Sequence, residues 1–534
     1  MRTHEFITWH SEASSGTGSS FSEIKVVRQG KQTAMGIFGD LKRAIGSDSI
    51  VAAAPAAPVG APPNERSIYQ SRKNFGVNFG SLFVLEKYIF DGMYIDGAEA
   101  ELDAIENNVK KYGVDQTRTK MEDHWQNYCS DDDWKWLNER GIQSVRIPIG
   151  YWTVNGGSFA KDTHFEKIAA VYSNAWEILK KNYIEKAKQF NISILVDLHA
   201  LPKGANTGDH SGEKFSKAGF WDDNHAIDLA VQVCSFIAKD LRHYDNISGI
   251  QIVNESVFDN HPSGQKKYYT KAINSIRKED PAVPVVISDG WWPEQWVDFL
   301  DKSSQGNIGS LGVIIDDHVY RCFSNDDKGK RVESIIEDLS PSVLPNDCSN
   351  KADFLIGEYS CVMDTQSWEK SSGCDRDHQV RCYGNKQAEI FVRKAKAGYY
   401  FWTYKFQYGD GGEWGLVPMM NKGCIPSRCT APPSPSQQDF DSALNEHYEQ
   451  HKNYWQSQNA NEKYEFWRYK EGFTTGWADA VEFAKLDNSR IGRVVAWTYS
   501  RKGEHIQARG GSGFLWQWDS GYSEALQAFD SKFS

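Results

Sequence analysis

Eight short, nearly unbroken apolar runs recur along the chain, most of them bounded by stretches with helical spacing. They are FGVNFG (75–80), SVRIPI (144–149), ISILVDLH (192–199), ISGIQIVNE (247–255), VPVVISDG (283–290), LGVIIDDHVY (311–320), FLIGEYS (354–360) and YYFWTYK (399–405). β-Branched and aromatic residues dominate them without clean polar alternation, which predicts parallel strands buried on both faces. Apolar residues at helical spacing predict helices at 131–141, 165–190, 225–243, 265–278, 293–301 and 386–397. The acidic triplet Asp131 to Asp133 reads as the start of the first of these. Repeated strand–helix alternation predicts an α/β fold, a TIM-type (β/α)8 barrel.

Residues 1–66 read as a flexible extension outside the catalytic unit, ending in an Ala/Pro linker (51–63) expected to be extended and mobile. Within it, residues 35–46 place Ile37, Phe38, Leu41 and Ile45 near one helical face, suited to a weak membrane contact. Residues 67–534 are expected to form the barrel, its loop insertions (421–438 among them) and a helical C-terminal extension. Helical stretches in that tail fall around 445–457, 477–486 and 491–500, followed by the Trp-rich segment 514–522. The tail is expected to pack on the barrel, the alternative being a separate sugar-binding module.

Polar residues sit at the C-terminal ends of the predicted strands, the catalytic edge of such a barrel. They are Arg146, His199, Asn254 with Glu255, His318 with Tyr320, Glu358 and Trp402. Taken singly, Arg146 could pair a structural carboxylate and His199 could be a satisfied core histidine. Their convergence on one edge favours a site. Glu255 and Glu358 lie on the fourth and seventh strands, which face each other across a closed barrel. Inward side chains could bring the carboxylates to about 5 Å, the separation in retaining glycosidases, where one attacks the anomeric carbon and the other protonates the leaving oxygen. Repulsion at that distance is expected to raise one pKa and make that group the acid. Arg146 and the Tyr320 hydroxyl suit holding the other glutamate ionised. Asn254 suits a hydrogen bond to the sugar 2-hydroxyl, and Trp402 suits the floor beneath the sugar.

The 534 residues, 40% of them hydrophobic, allow a large core. A net charge of -11 without a basic stripe speaks against nucleic acid as a partner. The 19 Trp, 24 Tyr and 27 Phe would serve both a core and a carbohydrate site. No G-x-G-x-x-G follows the first strand, and P-loop and H-E-x-x-H motifs are missing, so nucleotide, dinucleotide and zinc-protease chemistries are not indicated. The 14 histidines are scattered without metal-ligand spacing, so neither metal nor cofactor is expected. Residues 1–20 lack a signal-like apolar run, and no segment has the length of a membrane span. The nine cysteines form no C-x-x-C pair, and Cys374 with Cys382 or Cys424 with Cys429 read as free thiols rather than disulfides. These features, with a glycosylation sequon at Asn254, lead to the expectation of a cytoplasmic monomer.

The series RIPIGYW (146–152), VDLH (196–199), VNE (253–255), DHVY (317–320), GEYS (357–360) and FWTYK (401–405) resembles glycoside hydrolase family 5, the cellulase family. GVNFGSLFVLEKY (76–88) and ALPKGANTGDHSG (200–212) are similar to segments of its fungal exo-β-1,3-glucanases, and the resemblance runs from about 74 to 416. It implies Glu255 as acid/base and Glu358 as nucleophile, with Arg146, His199, Asn254, His318, Tyr320 and Trp402 binding substrate around them. It also implies that Glu86 binds hydroxyls of the terminal glucose and that Phe323 stands at the entrance. The chain departs from the pattern at Ser256, where the family usually has Pro, and at Gly208, where the exo-glucanases carry a second entrance aromatic. Residues 364–383 and the tail beyond Tyr404 lack a clear counterpart. The implied activity is retaining, exo-acting hydrolysis of β-1,3-linked glucosides. The alternatives are a glucolipid (steryl glucoside or glucosylceramide) or β-1,4-glycan substrate and, in another class, a non-catalytic carbohydrate-binding protein.

Overall fold

A computed structural model describes residues 49–345 and 347–533. Its strands are β1 (Asn74–Asn78), β2 (Ser144–Gly150), β3 (Ser193–Ala200), β4 (Ile247–Gln251), β5 (Val285–Ser288), β6 (Val313–Arg321), β7 (Asp353–Met363) and β8 (Gly398–Phe401). They pair in sequence order as a closed, all-parallel barrel, with β8 returning to β1. All eight predicted runs are therefore strands of the predicted barrel. The period of two divides each strand between two cores. Leu195, Val286, Ile314, Leu355, Ala397 and Tyr400 fill the barrel interior. Their neighbours Val196, Ile287, Ile315 and Ile356 pack with the helices in the main core.

The helices Asn224–Leu241, Ser263–Glu279 and Pro293–Ser303 lie where the spacing predicts. The acidic triplet opens the helix Asp131–Glu139, but the cap is Ser130, whose backbone N–H donates to Asp133 (2.7 Å) in a capping box. The single helix expected over 165–190 is instead a 3-10 segment His164–Tyr172 followed by a helix with a π turn at Leu179–Ile184. Residues 364–383 are largely helical, in Thr365–Lys370 and the first half of Arg376–Lys394. Glu101–Tyr112 and Val114–Asn127 were not anticipated, because their buried faces are thin and partly polar: Glu101, Ala104, Ile105 and Asn108 in one, Thr117, Met121 and Trp125 in the other.

The free linker is corrected. Residues 51–63 are irregular, with a turn at 58–61, and they lie against the protein. Ile50 and Ala57 are buried, and the N–H groups of Ala53 and Ala54 donate to carbonyls of Ser310 and Pro281 (2.8 Å each). Arg501 donates to the carbonyls of Pro58 and Ala61 (3.0 and 3.1 Å). Backbone without a sheet partner thus finds its partners in loops and in a buried guanidinium. Residues 35–46 lie outside the described residues.

The tail is four helices, Gln437–Gln458, Phe466–Ala484, Val494–Arg509 and Leu515–Phe533. The second and fourth approach closely at Gly472 and Gly521, where a Cβ would lie 2.2 and 2.1 Å from the backbone oxygens of Trp518 and Tyr469. Asp353, at the start of β7, accepts from the N–H groups of Val495 and Ala496 (2.9 and 3.1 Å) at the start of the third. The tail therefore covers the N-terminal end of the barrel and leaves the C-terminal edge to the site. No described helix is long and apolar enough to cross a membrane, and all nine cysteines are free thiols.

Candidate active site

Arg146 on β2 is fully buried inside the barrel and organises the C-terminal edge. Its Nη1 donates to Glu358 Oε1 (3.0 Å) and Asn78 Oδ1 (2.8 Å), and its Nε to Gln251 Oε1 (2.9 Å). Its Nη2 donates to Asn254 Oδ1 (2.6 Å) and lies 3.0 Å from Asp197 Oδ2. The other Glu358 oxygen accepts from Tyr320 OH (2.8 Å). A buried guanidinium with this set of partners holds a carboxylate in one orientation.

β3 and β6 use the same device. Each carries Asp-x-His, and the period of two puts carboxylate and imidazole on one face. His199 Nδ1 donates to Asp197 Oδ2 (2.6 Å) and leaves Nε2 to accept from Asn254 Nδ2 (3.2 Å). Burial lowers the His199 pKa, so this ring is neutral. His318 bridges Asp316 Oδ2 through Nε2 (3.0 Å) and Glu255 Oε1 through Nδ1 (2.9 Å), with Glu358 Oε2 at 3.6 Å. Burial alone would lower its pKa, but the charges of Glu358 and Asp316 raise it well above the usual range. Asp316 in turn accepts from Gln251 Nε2 (2.7 Å) and from the N–H of Gly357 (2.6 Å). A Cβ at position 357 would lie 2.3 Å from Asp316, so this approach needs glycine.

A carboxylate oxygen of Glu255, one of Glu358 and a ring nitrogen of His318 all lie within 4.8 Å of one another. The repulsion expected between the two glutamates does not decide the balance, because Arg146 and His318 supply two positive charges. Burial raises the Glu255 pKa, yet the hydrogen bond and charge of His318 more than offset it and bring the carboxyl down to about 2. The proton of this pair therefore rests on His318, and the two groups titrate as a unit. The same three residues form a donor set of metal-binding type. With Arg146 and a protonated His318 already balancing the carboxylates, the set does not suit a cation.

The remaining predicted residues line the opening. The Trp402 indole N–H donates to Tyr88 OH, and its ring stacks beside His199 at 6.1 Å. Phe323, 61% exposed, lies 5.5 Å from Tyr320 and 6.2 Å from Trp414. The aromatic missing at Gly208 is thus not the last at the mouth. Trp414 flanks Phe323, while Trp291, 48% exposed, meets His318 edge-on at 6.5 Å. Near Gly208, the loop after β3 brings His210 Nε2 to 3.6 Å from Glu255 Oε2, and Asn206 Nδ2 donates to the Glu255 carbonyl (2.9 Å).

Glu86 sits on the loop after β1, its pKa raised well above the carboxylate range by burial and by the charges of Glu358 and Asp209. That loop is tied down by Glu101, fully buried, which accepts from Leu85 N–H (2.7 Å), Trp152 Nε1 (3.1 Å) and Tyr172 OH (2.6 Å). Burial raises the Glu101 pKa to about 7, the three donors offsetting only part of the effect. A carboxyl whose folded pKa is raised stabilises the fold at low pH and loses that contribution as pH rises between the two pKa values. The stability advantage of wild type over Glu101→Gln should therefore be largest below about pH 4.5 and shrink towards pH 7, by at most about 3 kcal/mol. Urea midpoints across that range measure it, and a gap that widens with pH contradicts the assignment.

Asn78, Asp197, Gln251, Asp316, His210, Trp291 and Trp414 were not anticipated. The repeated Asp-x-His on β3 and β6 could have exposed Asp197 and Asp316. The loop residues carry no periodic signal.

Comparison with known proteins adds two family patterns, two relatives and one solved structure. The pattern described as "Cellulase (glycosyl hydrolase family 5)" matches residues 103–407, and that of the "Glucan 1,3-beta-glucosidase 3 C-terminal domain" matches 436–533. The chain is 41% identical to an uncharacterised glycosyl hydrolase of Saccharomyces cerevisiae, over 91% of this chain and 96% of that protein. It is 30% identical to glucan 1,3-beta-glucosidase 3 of Schizosaccharomyces pombe, over 82% of this chain and 92% of that protein. Among solved structures, rutinosidase from Aspergillus niger shares the fold at a TM-score of 0.52 and 18% identity, over 67% of this chain and 98% of that one.

Proposed function

The chain belongs to glycosyl hydrolase family 5, and from that premise we propose that it is a retaining, exo-acting β-1,3-glucosidase with Glu358 as nucleophile and Glu255 as acid/base. The carrying observation is the pair of carboxylates within 4.8 Å of each other, one held by Arg146 and Tyr320, the other by His318. That spacing suits direct attack on the anomeric carbon rather than a water between the two groups.

In this reading Glu358 attacks C1 of the bound glucosyl unit from the α face while the bond to the leaving oxygen breaks. The leaving oxygen takes a proton from Glu255, which draws it from His318 Nδ1 at 2.9 Å. Water then attacks C1 from the β face as the ester bond between C1 and Glu358 breaks and frees that carboxylate, and Glu255 accepts the water proton and shares it again with His318. The two inversions leave β-glucose. Asn254, fixed between Arg146 and His199, has its amide at the edge where a 2-hydroxyl would lie. Glu86, close enough to Glu358 to feel its charge, is the group for hydroxyls of the terminal sugar. Trp402 forms the floor, and Phe323 with Trp414 forms a face for the sugar beyond the cleavage point.

The β-1,3 preference rests on the names of the relatives, several of which are glucan 1,3-β-glucosidases. The free state of all nine cysteines favours a reducing compartment, in keeping with a cytoplasmic site of action. Timed digestion of laminarihexaose tests the exo reading. Glucose and the pentaose should appear first. Early release of internal fragments, or inertness on laminari-oligosaccharides with turnover of a glucolipid, contradicts it.

A further inference from the structure

The loop after β3 turns through the short 3-10 segment Asp209–Ser211 and sets the His210 ring beside Glu255. The loop is anchored by Asn206, whose Oδ1 accepts from the Gly208 N–H (2.8 Å) and the Ser211 hydroxyl (3.2 Å). Those two donors fix the orientation of the amide. Its NH2 end therefore donates both hydrogens, to the Glu255 carbonyl (2.9 Å) and to His210 Nε2 (3.1 Å). With Nε2 as acceptor, the neutral ring carries its proton on Nδ1. Among the described residues this Nδ1–H has no protein acceptor. The ring is half-buried and meets His199 edge-on at 5.5 Å.

Glycine at 208 keeps that edge of the ring open. A Cβ there would lie 2.3 Å from Cε1, 2.7 Å from Nδ1 and 2.8 Å from Nε2 of His210. Backbone conformation does not call for glycine, because φ -70° and ψ 146° are open to ordinary residues. The imidazole occupies the space that a side chain at 208 would take.

The leaving group comes to the same place. His318 Nδ1 holds Glu255 Oε1 (2.9 Å), which leaves Oε2 to reach the departing oxygen at hydrogen-bond distance. His210 Nε2 lies 3.6 Å from that Oε2, so the first unit of the leaving group passes beside the imidazole. We propose that His210 determines specificity there, its Nδ1–H donating to a hydroxyl next to the departing oxygen. The site thereby favours a sugar as leaving group over an alcohol with a single oxygen. This inference rests on the retaining reaction proposed above. Phe323 and Trp414, from the loops after β6 and β8, give the leaving sugar an aromatic face, and His210 gives it a polar contact from the loop after β3.

The test compares kcat/KM for laminaribiose with that for benzyl β-D-glucoside, whose leaving alcohol also needs a proton but offers no second hydroxyl. His210→Ala should lower the ratio of the two by about 5- to 10-fold, the worth of one hydrogen bond. His210→Asn, which keeps a donor near the position of Nδ1, should regain part of it. Gly208→Ala should lower the ratio as His210→Ala does, by pushing the ring aside, and should add nothing in the double variant. A ratio unchanged in His210→Ala, whether both substrates lose turnover or neither does, overturns the proposal while leaving the reaction standing. Wild type inert on both glucosides removes the retaining reading itself and this inference with it.

Discussion

Glu358→Ala is expected to lower turnover of laminaritriose by about 10,000-fold or more, and sodium azide is expected to restore part of it as α-glucosyl azide. Both oxygens of this carboxylate accept hydrogen bonds, one from Arg146 (3.0 Å) and one from Tyr320 (2.8 Å), so the group has a fixed direction of attack. Truncation removes the nucleophile and leaves room for a small anion on the same face of the sugar. Azide entering there inverts C1 once, which gives the α product. Arg146 keeps Asn78, Gln251, Asn254 and Asp197 as partners, so the variant should still fold. Circular dichroism and thermal melting verify that before the kinetics are read. A folded variant that kept a tenth of wild-type turnover would remove Glu358 from the chemistry.

Glu255→Ala is expected to discriminate between leaving groups. Loss of a positioned acid costs about 100- to 10,000-fold where the leaving oxygen needs a proton, as in laminaritriose. An activated aryl glucoside such as 2,4-dinitrophenyl β-D-glucoside needs little protonation, so its first step should survive and the glucosyl-enzyme should accumulate. Azide should then yield the β-glucosyl azide, the opposite anomer from the Glu358 variant. Equal losses on both substrates would mean that Glu255 acts in binding rather than as the acid. The short distance to His318 Nδ1, 2.9 Å, bears on the pH profile, because the proton that reaches the leaving group belongs to the pair.

Much of this site is legible in the sequence, for a physical reason. Inward positions near the C-terminal edge of a parallel barrel have polar neighbours only if a site is built there, so Arg146, His199, His318 and Glu358 stand out within apolar strands. The same period of two makes Asp197 and Asp316 legible as supports, although attention to the histidines alone passes over them. The loops are different. His210, Trp291 and Trp414 reach the site through irregular backbone, whose course no periodicity fixes. Glu101 reads as an ordinary solvated acid at the start of a polar helix, and only the fold reveals Leu85, Trp152 and Tyr172 donating to it. The linker at 51–63 was misread for the converse reason. Its composition suggests a linker, but whether such a segment is free depends on carbonyls and N–H groups far away in the chain, here those of Ser310, Pro281 and Arg501.

The central claim is double displacement by two glutamates at a short separation, and the anomer of the first product tests it most directly. Proton NMR of laminaritriose hydrolysis, recorded before mutarotation, should show β-glucose appearing first and the α form only later. α-Glucose as the first product would mean a single displacement by water and would contradict the assignment of Glu358 as nucleophile.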